Sequence, residues 1–400
     1  MPEIQITKPH ILLFAPSLAT TGGVERLVSN LSVLLSERYR VTQCSLDGQG
    51  SRLRYQNGLP FVPLAAWRRL PFALRLINYA DRALRLRRLK KQLGVDITIS
   101  NLWPADLVSM VSGGHDRKIA LAHVNVVGNP TNRMMIRALP FISRLYRRFN
   151  NVISVSEPLN REIRHLYGLE AAKSQCIHNF VRPSTDQVQS DVTTLESRIL
   201  WCGRLVPEKN PQAAIRIMAE VRKVRPDVQL MMLGDGPLAR CVREMCDECG
   251  LSVGSDLDDA TSAVILPGFV DDTSAWMRRA AFQMLTSSDE GLPMVLIEGL
   301  AAGLPALGSD CRSGGIRDAM GGAPASHGRH VEEPTSCGVL LSMPTDAHAV
   351  VLWSRWALRL LDDHALRAEL SAGSRRRARL FSEDAARTRW FALIDELCAA

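Results

Sequence analysis

Short apolar runs alternate with amphipathic stretches along most of this chain. The first run, His10–Pro16, is too short for a helix and reads as a buried strand. Loop Ser17–Gly23 follows, then a helix that puts Val24, Leu27, Val28, Leu31, Leu34 and Leu35 on one face. Further strands are predicted at Arg40–Leu46, Val95–Ser100, Lys118–His123, Asn151–Val155 and Gln175–His178, with helical stretches between most of them. That alternation predicts a β/α domain with a mainly parallel sheet over residues 1–182.

The polar, aperiodic stretch 183–197 reads as a linker. A second series then opens, with strands at Ile199–Cys202, Val228–Leu233, Ala263–Leu266, Ala281–Thr286 and Pro305–Ser309. Helices are predicted near Gln212–Lys223, Leu238–Cys249, Thr273–Ala280, Pro293–Ala302, Ala347–Asp362, Ala365–Leu380 and Asp384–Cys398. The second domain is thus expected over 198–380, with a last helix in 381–400 that returns toward the first domain. The fold class is α/β: two doubly wound, Rossmann-like domains, with a ligand cleft expected between the carboxyl ends of their sheets.

Composition narrows the class. With 400 residues, 46% hydrophobic and 22% charged, the chain is neither disordered nor a disulfide scaffold. Its 9 cysteines, scattered and odd in number, fit reduced thiols in a cytoplasmic setting. No run approaches the ~18 apolar residues of a membrane span, and no secretory signal is expected. The net charge of +8 is unevenly spread. Residues 1–180 hold 25 Lys/Arg against 11 Asp/Glu, and residues 181–400 hold 24 against 30. The excess gathers in Arg68–Lys91, with nine basic residues and one acid, and in Arg133–Arg148, with five and none.

The most informative stretch for chemistry is 287–305, SSDEGLPMVLIEGLAAGLP. Pro293 suits the first position of a helix that Gly303 ends. Glu290 lies in the loop before that helix and Glu298 on it. Carboxylates accept paired sugar hydroxyls, and a helix N-terminus offers N–H groups to an anion. By spacing alone the segment is equally a capped helix with two surface acids.

Glu290 and Glu298, separated by seven residues and followed by Ala-Ala-Gly-Leu-Pro, resemble the signature of glycosyltransferase family 4. Three other segments resemble that family too: Gly203-Arg204-Leu205 with Lys209-Asn210, Gly22-Gly23-Val24-Glu25-Arg26, and Ile177-His178-Asn179. The resemblance runs from Gly22 to about Gly314. It implies a GT-B fold and a retaining transferase that takes a nucleotide sugar, UDP-linked before GDP-linked, to a glycan or glycolipid acceptor. Glu290, Arg204, Lys209 and His123 are then the expected catalytic group. Gly22, Gly23, Gly203, Gly234, Gly268, Phe269, Gly291, Leu292, Pro293, Met294, Val295 and Glu298 join Arg204, Lys209 and Glu290 around the donor. Arg204 and Lys209 have a clear task, because charge grows on the departing diphosphate and a cation there favours the transition state. Gly291-Leu292-Pro293 stands where Gly-Phe-Gly is common, a variant of cell-surface polysaccharide branches. Leu251–Ser262 lengthens one connection, and Ser313-Gly314-Gly315 replaces a usual Gly-Pro; neither is expected to touch the paired carboxylates.

Rival readings rest on less. Gly234-x-Gly236-x-x-Ala239 fits a loose Rossmann fingerprint for an NAD(P) oxidoreductase, but it follows the domain's second strand. A sugar-nucleotide epimerase of the same fold would share the donor site. No nucleic-acid motif accompanies the basic half, so no nucleic acid partner is expected. Cys241, Cys246 and Cys249 read as packing thiols, and no metal or cofactor is expected. The basic segments interleave Leu70, Leu74, Ile77, Leu84 and Leu86 with arginines, and Met134, Met135, Ile136, Leu139, Phe141, Ile142 and Leu145 with more. Such stretches suit an anionic membrane surface, which predicts a peripheral enzyme on the cytoplasmic face of the inner membrane.

Overall fold

The computed structural model describes residues 8–47, 53–64, 75–124, 137–182, 197–324 and 331–399. Nearly all of the expected linker, and residues 68–74 and 133–136 of the basic segments, lie outside these. The chain divides into two compact units, Met1–Arg182 with Glu383–Ala400, and Pro183–Ser382.

The first unit is built on seven strands: β1 (His10–Ala15), β2 (Arg40–Ser45), β3 (Phe61–Pro63), β4 (Ile97–Asn101), β5 (Arg117–Ala122), β6 (Asn151–Ser154) and β7 (Ser174–Cys176). They pair in the order β3-β2-β1-β4-β5-β6-β7, every pair parallel. Parallel strands covered on both faces need apolar residues throughout, and β1 is buried at all six positions. Helices α1 (Gly23–Ser36), α2 (Arg75–Leu93), α3 (Trp103–Val111), α4 (Leu139–Tyr146) and α5 (Glu157–Tyr167) make the crossovers. On α1, the buried face holds Leu27, Val28, Leu31, Leu34 and Leu35 as the periodicity requires. The helix Glu383–Ala399 packs beside α1. Tyr39 meets Phe391 edge-on and donates to Asp395 Oδ1 at 2.8 Å, while Arg387 holds Glu37 at 2.9 Å.

On α2 the basic face differs from the sequence expectation. Leu86 and Ala83 lie in the core with Leu12, Phe14 and Leu46. Arg82 is buried and donates to the carbonyl of Leu46 at 3.0 Å. Lys90 is buried against Asp116 at 2.9 Å, and burial lowers its pKa to about 8. The helix therefore turns part of its charge inward, leaving Ile77, Leu84, Arg85, Arg87, Arg88 and Lys91 outside.

The second unit has eight strands: β8 (Arg198–Cys202), β9 (Gln229–Leu233), β10 (Val253–Gly254), β11 (Val264–Gly268), β12 (Phe282–Leu285), β13 (Ala306–Ser309), β14 (Glu332–Thr335) and β15 (Gly338–Leu341). Their order is β10-β11-β9-β8-β12-β13-β15-β14, parallel except for β14 against β15. The helices are α6 (Pro211–Arg222), α7 (Ala239–Glu248), α8 (Ser274–Arg278), α9 (Met294–Ala301), α10 (Gly315–Met320), α11 (Ala347–Asp362) and α12 (His364–Ala378). The sheet grows outward in both directions from β8 and β12, so the topological switch lies between these two strands.

The lengthened connection Leu251–Ser262 has a structural job at the opposite, amino edge. Arg198 and Gln229, the first residues of β8 and β9, bond each other at 2.8 Å and hold the carbonyls of Leu257, Asp259 and Ser262. The connection also supplies the edge strand β10. On α7, Cys246 is buried in the core and Cys249 packs against it.

Candidate active site

Strand β8 runs into a loop that carries Gly203, Arg204 and Lys209. Gly203 N donates to Leu233 O at 2.9 Å and Leu205 N to Asp235 O at 2.9 Å, which seats this loop on the one after β9. The seat demands glycine. Gly234 has φ +135°, and a Cβ there would lie 1.9 Å from the carbonyl of Gly203. A Cβ on Gly236 would lie 2.5 Å from the carbonyl of Leu205. The apparent dinucleotide fingerprint is thus a loop-packing device. Gly268 extends the seat, its carbonyl accepting from Gly234 N at 2.8 Å, and Phe269 beside it is exposed.

A single 3-10 turn, Pro207–Lys209, closes the first loop, and left-handed Asn210 starts α6. The next loop across the switch point, after β12, is tied to this turn at several points. Thr286 Oγ1 accepts from Trp201 Nε1 at 3.0 Å and donates to the carbonyls of Lys209 and Asn210 at 3.0 and 2.9 Å. Ser288 N donates to Glu208 O at 2.8 Å. Between the two loops Lys209 Nζ donates to Glu290 Oε1, and Ser287 Oγ reaches the same oxygen at 2.7 Å. The side chains of Lys209 and Glu290 keep 23% and 9% exposure, so the pair is shielded but open to solvent. Arg204 stands exposed on the same loop, its guanidinium without a partner among the described residues.

Ser313 is the residue that the motif did not reveal. Its hydroxyl accepts from Glu290 N at 2.7 Å and lies 2.8 Å from Glu290 O. Gly315 N also donates to Glu290 O, at 3.1 Å, and a Cβ on Gly315 would lie 2.3 Å from that oxygen. The departure at 313–315 is therefore a clamp on Glu290's backbone, while the Glu290 carboxylate is held by Lys209 and Ser287. The only early sign was that Ser and Gly replaced proline there.

Helix α9 starts one residue later than expected, with Pro293 as its N-cap in extended geometry. Leu292 and Met294 are buried, and the first N–H groups of a helix have no intrahelical partner. Glu298 lies in the middle of α9, half-buried.

Gly22, Gly23 and His123 belong to the first unit. Gly22 is extended, with φ −173°, so no left-handed turn calls for glycine there. What fills the place of its Cβ is Glu25, whose carboxylate lies 2.4 Å from it and accepts from Thr20 at 2.5 Å. The α1 terminus thus already has an acid folded over it, and Gly23 is exposed as its first residue. His123 follows β5 and is buried; burial lowers its pKa to about 4, so the ring is neutral at pH 7. Its Nε2 lies 3.0 Å from Asn101 Oδ1, at the end of β4. One residue earlier, Ser100 donates to Asp106 at 2.6 Å, and Tyr146 does the same from the other side. Burial outweighs these bonds and raises the Asp106 pKa to about 7.

Comparison with known proteins identifies the family and the fold. A Glycosyltransferase Family 4 model matches residues 21–185, and a Glycosyl transferases group 1 model matches 196–336. A Campylobacter jejuni N-acetylgalactosaminyltransferase, named for a diphospho-undecaprenol-linked acceptor, is 24% identical over 311 residues, covering 76% of this chain and 81% of its own. Sucrose-phosphate synthase from Thermosynechococcus elongatus superposes with a TM-score of 0.75 at 18% identity, over 98% of this chain and 100% of its own. HepE from Anabaena, solved with UDP and glucose, gives 0.71 at 17% identity over 96% and 99%. These structures share the GT-B fold. With both halves of the family matched in order along one GT-B chain, the protein belongs to glycosyltransferase family 4 and is a glycosyltransferase.

Proposed function

We propose that this enzyme transfers a sugar, with retention, from a UDP-sugar to a lipid-linked glycan during synthesis of a bacterial cell-envelope polysaccharide. The observation that carries this reading is the Lys209–Glu290 pair at the switch point of the second sheet, with Arg204 exposed beside it. A ligand that brings both a diphosphate and a sugar can take up each half of such a pair: phosphate oxygens on Lys209 and Arg204, sugar hydroxyls on Glu290. Glu298 serves the ribose and His123 the sugar or acceptor. Retention rests on the family likeness, and a lipid-linked acceptor on the names of relatives such as the Campylobacter enzyme. No metal enters the reading. An epimerase of the same fold would act without any acceptor.

The acceptor's lipid gives the basic patches a task. Among the described residues no helix is long and apolar enough to cross a membrane. Ile77 and Leu84, 51% and 56% exposed, share α2 with Arg87, Arg88 and Lys91, and Phe141, 59% exposed, shares α4 with Arg144, with Arg148 just after the helix. Next to Phe141 a hollow of about 470 Å³ has Leu139, Pro140 and Leu166 with Arg144 and Arg147 around it. Apolar side chains among guanidinium groups suit the headgroup zone of an anionic surface, each cation there contributing about 1 kcal/mol.

One assay tests both parts. The full chain is given UDP-N-acetylgalactosamine, UDP-N-acetylglucosamine, UDP-glucose or GDP-mannose, with a polyprenyl-diphosphate sugar embedded in vesicles of graded anionic-lipid content. The expected result is an α-linked product from one UDP-sugar, made faster as anionic lipid increases, with that gain lost in an Arg87/Arg88/Lys91 alanine variant. Turnover of the donor without acceptor, or rates indifferent to lipid charge, would overturn the corresponding half of the reading.

A further inference from the structure

At the carboxyl edge of the first sheet, one asparagine decides what its neighbouring histidine can do. Asn101 is fully buried, and its Nδ2 donates to the carbonyl of Phe14 at 3.2 Å. A backbone carbonyl only accepts, so this bond settles the amide's orientation and turns Oδ1 toward His123. Oδ1 also only accepts, so the ring nitrogen 3.0 Å away must carry the proton. The ring is then the Nε2–H tautomer, and its Nδ1 is a bare acceptor. That atom accepts no hydrogen bond among the described residues.

The backbone around Asn101 carries a second sign. Leu102 adopts φ 68° and ψ 151°, a conformation that costs a side-chain-bearing residue energy and persists only where the surroundings enforce it. Its carbonyl starts α3, accepting from Ala105 N and Asp106 N at 3.1 and 3.0 Å. The chain thus turns abruptly directly after Asn101, with the strand before it and the helix after it both held. Burial keeps the ring neutral, and no charged side chain among the described residues contributes to that shift. Of the buried acids nearby in sequence, Asp116 is paired with Lys90 and Lys118, and Asp106 is bonded to Ser100, which alternation along β4 points to the opposite face of the sheet.

We infer that Asn101 is a positioning residue, locking His123 in the Nε2–H form so that Nδ1 accepts a hydrogen bond from a hydroxyl of the bound sugar or of the acceptor. The inference rests on the site role proposed for His123. It makes His123 a neutral acceptor and orienter of a hydroxyl, and it assigns specificity for that hydroxyl to a residue on the neighbouring strand, 22 positions away in sequence.

The test pairs ring spectroscopy with turnover. Histidine-selective ¹⁵N labelling of the full chain, with His123→Gln to assign the signal, should show His123 protonated at Nε2 and neutral down to about pH 5. In Asn101→Ala the two tautomers should mix, and transfer in the assay above should slow about tenfold in kcat with donor KM little changed, the equivalent of one neutral hydrogen bond. In Asn101→Asp the new carboxylate should raise the ring's pKa above its ordinary value, so that turnover, low at neutral pH, recovers as pH rises and the ring loses its charge. A merely structural asparagine would not produce that recovery. A wild-type Nδ1–H ring, or a folded Asn101→Asp variant whose His123 titration does not move, overturns the inference. If no protein transfers sugar, the proposed reaction fails while the ring spectra still decide where the proton sits.

Discussion

The carboxyl edges of the two sheets hold their functional groups by opposite means. In the second unit, Lys209 and Glu290 are charged, partly exposed and paired across two loops that meet at the switch point. In the first unit, Asn101 and His123 are buried, uncharged and referred to a backbone carbonyl. A donor diphosphate carries charge that grows during transfer, so a site built of opposite charges acts on the transition state. A hydroxyl carries none, and for it direction matters more than field strength. Under the proposed function, the difference would divide electrostatics and orientation between two sheets of the same topology class.

Breaking the charged side should have the largest effect. Glu290→Ala and Lys209→Ala are each expected to lower kcat on the order of 10²–10³-fold, the range seen when a transition-state donor is removed. Circular dichroism and thermal melting should show the fold retained. A double variant no worse than either single one would show that the two residues act as a unit. Activity within a few-fold of wild type in both folded variants would remove the pair from the mechanism.

The uncharged side should be visible in stability against pH. His123 has its folded pKa at about 4, below the ordinary 6.5, so between these values the unfolded chain binds more protons and stability falls as pH falls. Asp106 is raised from 3.8 to about 7, so over the same window the folded chain binds more protons and stability rises as pH falls. The two dependences oppose each other, each on the order of a few kcal/mol over the window. Wild-type stability should therefore change little on their account between pH 6.5 and 4. Asp106→Asn should unmask the loss toward acid, and His123→Gln the gain. Chemical denaturation at several pH values reads this directly, and equal slopes in all three proteins would refute it.

A smaller effect sharpens the boundary between clamp and charge. Ser313→Ala removes the acceptor for Glu290 N and should cost about 1–3 kcal/mol, since a buried N–H loses its partner. Turnover should fall less than in Glu290→Ala, because the carboxylate keeps Ser287 and Lys209. A Ser313→Ala variant as inactive as Glu290→Ala would move the serine from holding the site into it.

Much of this was legible from the chain, for reasons that differ between parts. Buried parallel strands such as β1 and β9 announce themselves because both faces must be apolar. The strands that escaped are β3, the two-residue β10, β14, whose Glu-Glu-Pro-Thr faces solvent on alternate positions, and β15, a buried four-residue strand between β13 and β14. Within the site, Arg204, Lys209, Glu290 and Glu298 stand in local motifs tied to phosphate and hydroxyl chemistry. Ser313 and Asn101 do not, because each works on a residue more than twenty positions away through a bond that only the fold creates. Spacing also misjudged α2: an arginine or lysine reads as surface until a carbonyl or Asp116 is found waiting inside.

The helix Glu383–Ala399 has a consequence for assembly during synthesis. Unit two is one continuous stretch, so its sheet can close as soon as Ser382 has left the ribosome. Unit one is interrupted: Glu37 and Tyr39, which follow α1, pair with Arg387, Phe391 and Asp395 of the helix Glu383–Ala399. Through most of translation the earlier unit must therefore persist without these partners for one aromatic ring and one acid, and the half that is begun first is completed last.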